Sequence, residues 1–182
     1  EQDHPFSPWT KRAKIMLVYA YYQMREYEDA IATGQSYARL YPEDAQTAYI
    51  YYLIAMSYYE RITDVGRDQD MTQRAQDALS YVIARYPGSD YAQDARLKLD
   101  LVTDHLAGKE MAVGRFYQKQ DQYIPALNRF KIVMEQFDTT SHVPEALHRM
   151  TESYLAIGLE EEAAKTAAVL GHNFPNSEWY KD

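Results

Sequence analysis

Ala30-Ile-Ala-Thr-Gly-Gln-Ser-Tyr-Ala-Arg-Leu-Tyr-Pro42 carries the pattern from which the fold is read. A small residue opens the stretch, and an aromatic residue followed by Pro closes it. Pro has no amide hydrogen and its ring clashes with the preceding turn, so a helix stops there. The pattern returns three times, ending at Tyr86-Pro87, Phe137-Asp138 and Phe174-Pro175. Twelve residues before the second member of each pair stand Ala30, Ala75, Ala126 and Ala163. Five before it stand Tyr37, Val82, Val133 and Leu170, and eight before it Gly34, Leu79, Phe130 and Ala167. Positions four and seven after each Ala share its face of a helix. The Ala is expected to let a second helix approach closely, with the bulkier residues buried beside it.

A preceding helix fits the same frame, because Tyr21, Tyr117 and Tyr154 stand nine residues before three of these alanines. Ala with Tyr nine before it and Pro twelve after it resembles the tetratricopeptide repeat, over most of the chain. The resemblance implies an all-α, tetratricopeptide-type helical-hairpin solenoid of about eight helices. These are expected near 8–23, 26–41, 44–61, 72–86, 89–119, 123–137, 142–157 and 160–173. Pro5 to Pro42 and Asp138 to Pro175 are both 37 residues apart. Pro42 to Pro87 is 8 longer, which places an acidic, polar insertion around Ile62 to Thr72. Pro87 to Asp138 is 14 longer, and the stretch from Tyr91 to Lys119 lacks Pro, so one long helix or two nearly collinear ones are expected. Fourteen residues are close to four turns, so the apolar face keeps its direction. One solenoid over 1–182 then divides into repeats at 6–42, 43–87, 88–138 and 139–175, with 176–182 opening a further segment.

Ser89 and Ser141 look like helix N-caps. Ser also follows Pro by two residues, and an aromatic residue by four, at Pro5, Pro87 and Pro175. That recurrence predicts another helix near 178 and an earlier repeat ending at residues 1–5, so the chain reads as a piece of a longer solenoid. No polar capping repeat is visible at either end.

Composition excludes several kinds of function. A hydrophobic content of 46% marks a globular chain. A formal charge of -8 disfavours nucleic acid and simple docking on anionic lipid. No apolar run approaches the roughly 18 residues of a membrane span, and no signal peptide is visible. There is no Cys, so disulfides, thiolate metal sites and a Cys nucleophile are absent. The histidines His4, His105, His142, His148 and His172 form no i, i+4 pair and no HExxH set, so no zinc is expected. Asp64, Asp68 and Asp70 resemble half a calcium loop, but the Gly and the closing Glu are misplaced. No phosphate loop, nucleophile elbow or acid–base pair appears, so no cofactor, metal or enzymatic activity is expected. The 18 tyrosines are the unusual feature, offering large, stiff contact area with a polar tip.

Tetratricopeptide grooves are lined by the first helix of each repeat. Carrying those offsets over gives Arg12, Ile15, Tyr19 and Tyr22, then Tyr49, Tyr52, Met56 and Tyr59, as the peptide-binding groove. The competing reading is that these tyrosines pack helix against helix. In later repeats the same offsets give Met111, Arg115, Gln118 and Lys119, then Glu145, His148 and Glu152, which is a polar set.

A narrower resemblance rests on His4-Pro-Phe-Ser-Pro-Trp9, on Leu17-Val-Tyr-Ala-Tyr-Tyr22 and on the insertion Asp64-Val-Gly-Arg-Asp-Gln-Asp70. It extends to Arg96-Leu-Lys-Leu-Asp-Leu-Val-Thr-Asp-His-Leu-Ala107 in the long helix and to Ala126-Leu-Asn-Arg-Phe130. These stretches are similar to repeats two to five of the BamD family, tetratricopeptide lipoproteins of the bacterial outer-membrane protein assembly (BAM) complex. The resemblance implies a scaffold on the periplasmic face of the outer membrane. Its partners would be a BamA POTRA domain at the C-terminal repeats, unfolded outer-membrane proteins at the N-terminal repeats, and other BAM lipoproteins. By the family motif, Arg129 is expected to pair with a carboxylate of the POTRA domain; an intramolecular ion pair or a solvated Arg is the alternative. The family's lipid-bearing Cys and first repeat have no counterpart in this stretch, so membrane attachment is expected only through an anchor on the full-length parent. Another tetratricopeptide adaptor of the cell envelope is the second reading, and the two insertions distinguish them.

Overall fold

A computed structural model describes residues 8–62 and 69–181. Among these the elements are all helices: α1 (Pro8–Gln23), α2 (Tyr27–Leu40), α3 (Thr47–Tyr59), α4 (Gln69–Arg85), α5 (Asp90–Gln118), α6 (Tyr123–Gln136), α7 (Val143–Ala156), α8 (Glu160–Asn173) and α9 (Glu178–Lys181). The fold is all-α and built from tetratricopeptide-type hairpins. Helices α1 and α2, α3 and α4, and α7 and α8 pair, and α2 also packs on α3 as α6 does on α7. The long stretch is one helix of 29 residues, and the helix expected near 178 is α9. The chain divides into two compact units, Glu1–Val102 and Thr103–Asp182, so α5 contributes its beginning to one and its end to the other. The motifs at residues 1–7 and the insertion residues 63–68 lie outside the described residues.

The four alanines of the repeat are 0%, 0%, 0% and 2% exposed, at Ala30, Ala75, Ala126 and Ala163. Tyr37, Val82, Val133 and Leu170 are buried beside them. The aromatic residue that closes each pattern makes the last helical bond. The amides of Tyr41, Tyr86, Phe137 and Phe174 donate to the carbonyls of Tyr37, Val82, Val133 and Leu170 at 2.9, 3.0, 3.0 and 2.8 Å. The next residue, Pro or Asp, leaves the helix.

The corners inside three hairpins share a second device. The amides of Glu26, Gln122 and Leu159 reach back five residues to the carbonyls of Tyr21, Tyr117 and Tyr154, at 2.9, 3.0 and 2.9 Å. The residue before each amide is left-handed: Arg25 at φ 61°, Asp121 at φ 57° and Gly158 at φ 77°. This is the Schellman closure of a helix C-terminus, which satisfies carbonyls that would otherwise lack a donor. The tyrosines placed nine before the Ala thus supply the accepting carbonyl, and Tyr117 and Tyr154 also pack their rings on the core.

In the first unit Val18, Ile31, Tyr37, Ile50, Leu53 and Ile54 form the core. Gly34 lets α2 close on α3, since a Cβ there would lie 2.8 Å from Ile54 Cγ1. Asp44, in the turn before α3, ties three elements together. It accepts from Lys11 Nζ of α1, from the Tyr37 hydroxyl of α2 at 2.9 Å and from the Gln46 amide at 2.9 Å. Those bonds, the Lys11 one foremost, hold its carboxyl below the usual range. In the second unit Met111, Ala126, Phe130, Val133, Met150 and Tyr154 form the core.

Ser89 is the cap expected before α5, its Oγ accepting from the Ala92 amide at 3.1 Å. Ser141 is not a cap. Helix α7 begins at Val143 with His142 in the cap position, and the Ser141 hydroxyl donates to Asp104 of α5 at 2.9 Å. A carboxylate across the hairpin outcompetes the helix amides for that hydroxyl.

Candidate peptide-binding face

Helix α3, Thr47-Ala-Tyr-Ile-Tyr-Tyr-Leu-Ile-Ala-Met-Ser-Tyr-Tyr59, is apolar or aromatic nearly all round. Ile50, Leu53 and Ile54 are buried in the core. Tyr49, Tyr52, Met56 and Tyr59 follow a 3-4-3 spacing, which places them along one further stripe.

The tyrosines meet across three helices of the first unit. The rings of Tyr49 and Tyr52 each lie 5.3 Å from that of Tyr91, on α5. The Tyr52 hydroxyl donates to Asp94 Oδ2 at 2.8 Å. Tyr22 of α1 lies near enough that burial first, then the charge of Glu60, Tyr27, Asp94 and Tyr49, push its phenol up. Tyr49 is pushed up by burial, then by Tyr19 and Tyr91. Burial and the Asp94 hydrogen bond do the same, more strongly, to Tyr52. At the far end of the stripe Lys98 Nζ sits 5.5 Å from the Tyr59 ring centroid, within cation–π range. Tyr22, Tyr49 and Tyr52 therefore keep their protons at neutral pH, and the face offers hydroxyl donors and ring surfaces.

The residues expected in the groove fall into three groups. Tyr19 is 48% exposed, and Arg12 is exposed as well. Tyr22, Tyr49, Tyr52 and Tyr59 are half-buried and present part of each ring. Ile15 packs against the core, and Met56, 5% exposed, is buried. The expected set omitted Tyr91, Asp94 and Lys98. Counting back from Ala126 lands on the second half of α5, so the 14 inserted residues hid its first half. The signal was present in Pro87-Gly-Ser-Asp-Tyr91, followed by Asp94 and Lys98 at helical spacing.

The corresponding positions of the second unit close on themselves. Met111 is fully buried. Glu145 accepts from Arg115 Nη1 at 2.9 and 2.8 Å and from Arg149 Nε at 2.6 Å. Burial raises the Glu145 carboxyl, but the hydrogen bonds from Arg149 and Arg115 outweigh it and hold the group below its ordinary range. Gln118 donates to Glu152 at 3.1 Å and to Ser153 at 3.3 Å. His148 Nδ1 is 2.9 Å from the Trp179 carbonyl, and Lys119 is exposed. Here the polar side chains are spent on one another.

Arg129, on α6, makes an intramolecular ion pair, Nη1 lying 3.0 Å from Glu110 Oε2. Its side chain is 41% exposed against 14% for Glu110, so part of the guanidinium faces water. Among the described residues no group of three His, Cys, Asp or Glu could hold a metal ion. Asp64 and Asp68 lie outside them, and Asp70 pairs with Arg74 at 2.9 Å. No helix of the described residues is long and apolar enough to cross a membrane.

The family model YfiO, described as outer membrane lipoprotein, matches residues 1–170. A Caulobacter vibrioides protein named outer membrane protein assembly factor BamD is 50% identical over all 182 residues, which span 60% of its own length. A Rickettsia prowazekii protein of the same name is 45% identical over 97% of this chain and 70% of its own. A third, from Neisseria meningitidis serogroup A, is 30% identical over the same shares of the two chains. The chain therefore belongs to the YfiO family of outer membrane lipoproteins, among relatives named outer membrane protein assembly factor BamD.

Proposed function

We propose that this chain is a non-enzymatic scaffold of outer-membrane protein assembly, whose first unit receives unfolded outer-membrane protein segments on its tyrosine face. The observation that carries the reading is the set of partly exposed tyrosines spread over α1, α3 and α5. Kinship with named assembly factors supports it. Tyr gives large contact area at low conformational entropy, since only two torsions are ordered. An unfolded barrel strand alternates apolar and polar side chains, and alternate residues of an extended chain repeat every ~6.7 Å. Tyr49 and Tyr52, each 5.3 Å from the Tyr91 ring, form one aromatic surface against which the apolar side chains of such a segment can lie. The hydroxyls can meet its backbone.

The second unit is the seat of a protein partner in this reading. Arg129 exchanges Glu110 for, or shares itself with, a carboxylate on a POTRA domain of BamA, because its planar fork can hold two carboxylate oxygens at once. Other BAM lipoproteins complete the assembly. The scaffold sits at the periplasmic face of the outer membrane, lipid-anchored through the full-length parent.

Tyr19→Ala tests the reading most cleanly, because the 48% exposed ring contributes little to the core. Affinity for synthetic barrel-strand peptides, measured by fluorescence anisotropy, should fall about fivefold, the worth of one aromatic contact. The melting temperature should stay within about 2 °C. Unchanged affinity in Tyr19→Ala and Tyr49→Ala alike would remove the tyrosine face from the function.

A further inference from the structure

Asp94 is a carboxylate set among tyrosines. It stands one turn after Tyr91 on α5, and its Oδ2 accepts from Tyr52 at 2.8 Å. Its charge also reaches Tyr22. Among the described residues no cation pairs with it. Lys98, the next residue on the same side of α5, lies against the Tyr59 ring instead. The Tyr52 hydroxyl satisfies one lone pair of one oxygen, and a carboxylate accepts about four hydrogen bonds. The side chain is half-buried, where a charge pair is screened less than at the open surface.

Aromatic ring faces carry negative electrostatic potential, and a carboxylate beside them adds to it. A cation arriving here gains from both. We propose that the tyrosine face selects polypeptide segments that carry Arg or Lys beside aromatic or apolar side chains, the cation pairing with Asp94 against the adjoining rings. Arg fits better than Lys, because its flat guanidinium stacks on a ring while its edge meets the carboxylate. The formal charge of -8 favours the approach of such segments from a distance.

The inference rests on the peptide-binding reading of this face, and the experiment separates the two. Two synthetic twelve-residue peptides of equal aromatic content are used, one with a central Arg and one with Gln in its place. Both are titrated by fluorescence anisotropy against the whole chain and against Asp94→Asn, whose amide oxygen still accepts from Tyr52. The unaltered chain should bind the Arg peptide about fivefold more tightly than the Gln peptide. In Asp94→Asn the Arg and Gln peptides should bind alike. Raising the salt concentration should narrow the gap. Equal binding of the two peptides by the unaltered chain, or a preference that survives in Asp94→Asn, overturns the charge selection and leaves the tyrosine face standing. Failure of both peptides to bind the unaltered chain overturns the peptide-binding reading along with it.

Discussion

Gly114→Ala should destabilise the second unit, although Ala is the better helix former. Gly114 lies within α5, where replacing Gly by Ala ordinarily gains about 1 kcal/mol. A Cβ at this position would stand 2.3, 2.8 and 2.9 Å from three carbons of the Phe130 ring. Carbon atoms rest at about 3.5–4.0 Å, so the ring must retreat by more than about 1 Å. It has little room to do so. Phe130 is fully buried among Met111, Ala126, Val133 and Met150, and an aromatic ring cannot yield the way the end of a flexible chain can. Overpacking of a tight core costs about 1–3 kcal/mol, and an overlap this deep belongs at the upper end. The net loss is then about 2 kcal/mol, or about 4–8 °C of melting temperature for a chain of this size. Thermal and urea unfolding followed by circular dichroism measure it. Gly88→Ala is the control, because a Cβ there meets nothing within 4 Å. Gly114→Ala combined with Phe130→Leu should recover at least half of the loss. A melting temperature that rises or stays put in Gly114→Ala would refute the close approach of α5 and α6.

Three further outcomes follow from the same structure. Arg25→Gly should raise the melting temperature by about 3 °C, because Gly removes roughly 1 kcal/mol of left-handed strain at φ 61°; a lower value in differential scanning calorimetry would contradict the corner geometry. Glu145→Gln should lose about 3 kcal/mol at neutral pH in urea titrations, since it leaves the half-buried Arg115 without its counter-charge and Arg149 with only the more distant Glu152, at 3.7 Å. The folded carboxyl lies below its unfolded value, so its contribution is present above the unfolded value of about 4.3 and is lost as pH falls through the folded one. The gap between the variant and the unaltered chain should therefore shrink in acid, and a gap independent of pH would speak against the network. Arg129→Glu should abolish co-purification with BamA and should also lower stability by about 1 kcal/mol, as it sets two carboxylates side by side; normal recovery of BamA would remove Arg129 from that interface.

Much of the fold could be read from the chain because its signals are local and repeated. A helix that must stop at Pro42, Pro87 and Pro175, with Ala twelve residues earlier, leaves few alternatives to a hairpin, and all four alanines lie inside. Caps were harder. Ser89 and Ser141 look alike in sequence, but only Ser141 has a carboxylate across the hairpin, Asp104, to draw it away. The tyrosine face was half legible. Helical spacing found the α1 and α3 members, whereas Tyr91 and Asp94 needed knowledge of which end of a 29-residue helix meets α3. Arg129 shows the other limit: spacing places it on α6, but the nearness of Glu110 is a property of the packed hairpin.

The three corners whose left-handed residues are Arg, Asp and Gly are closed by bonds from amide to carbonyl. A joint made of main chain is indifferent to most of what is written around it. Side chains on the outer surfaces of these hairpins can therefore be exchanged, one repeat at a time, while the hinge points keep their angle. Evolution of new recognition on such a frame, or its deliberate redesign, needs only a change of lettering and no change of carpentry.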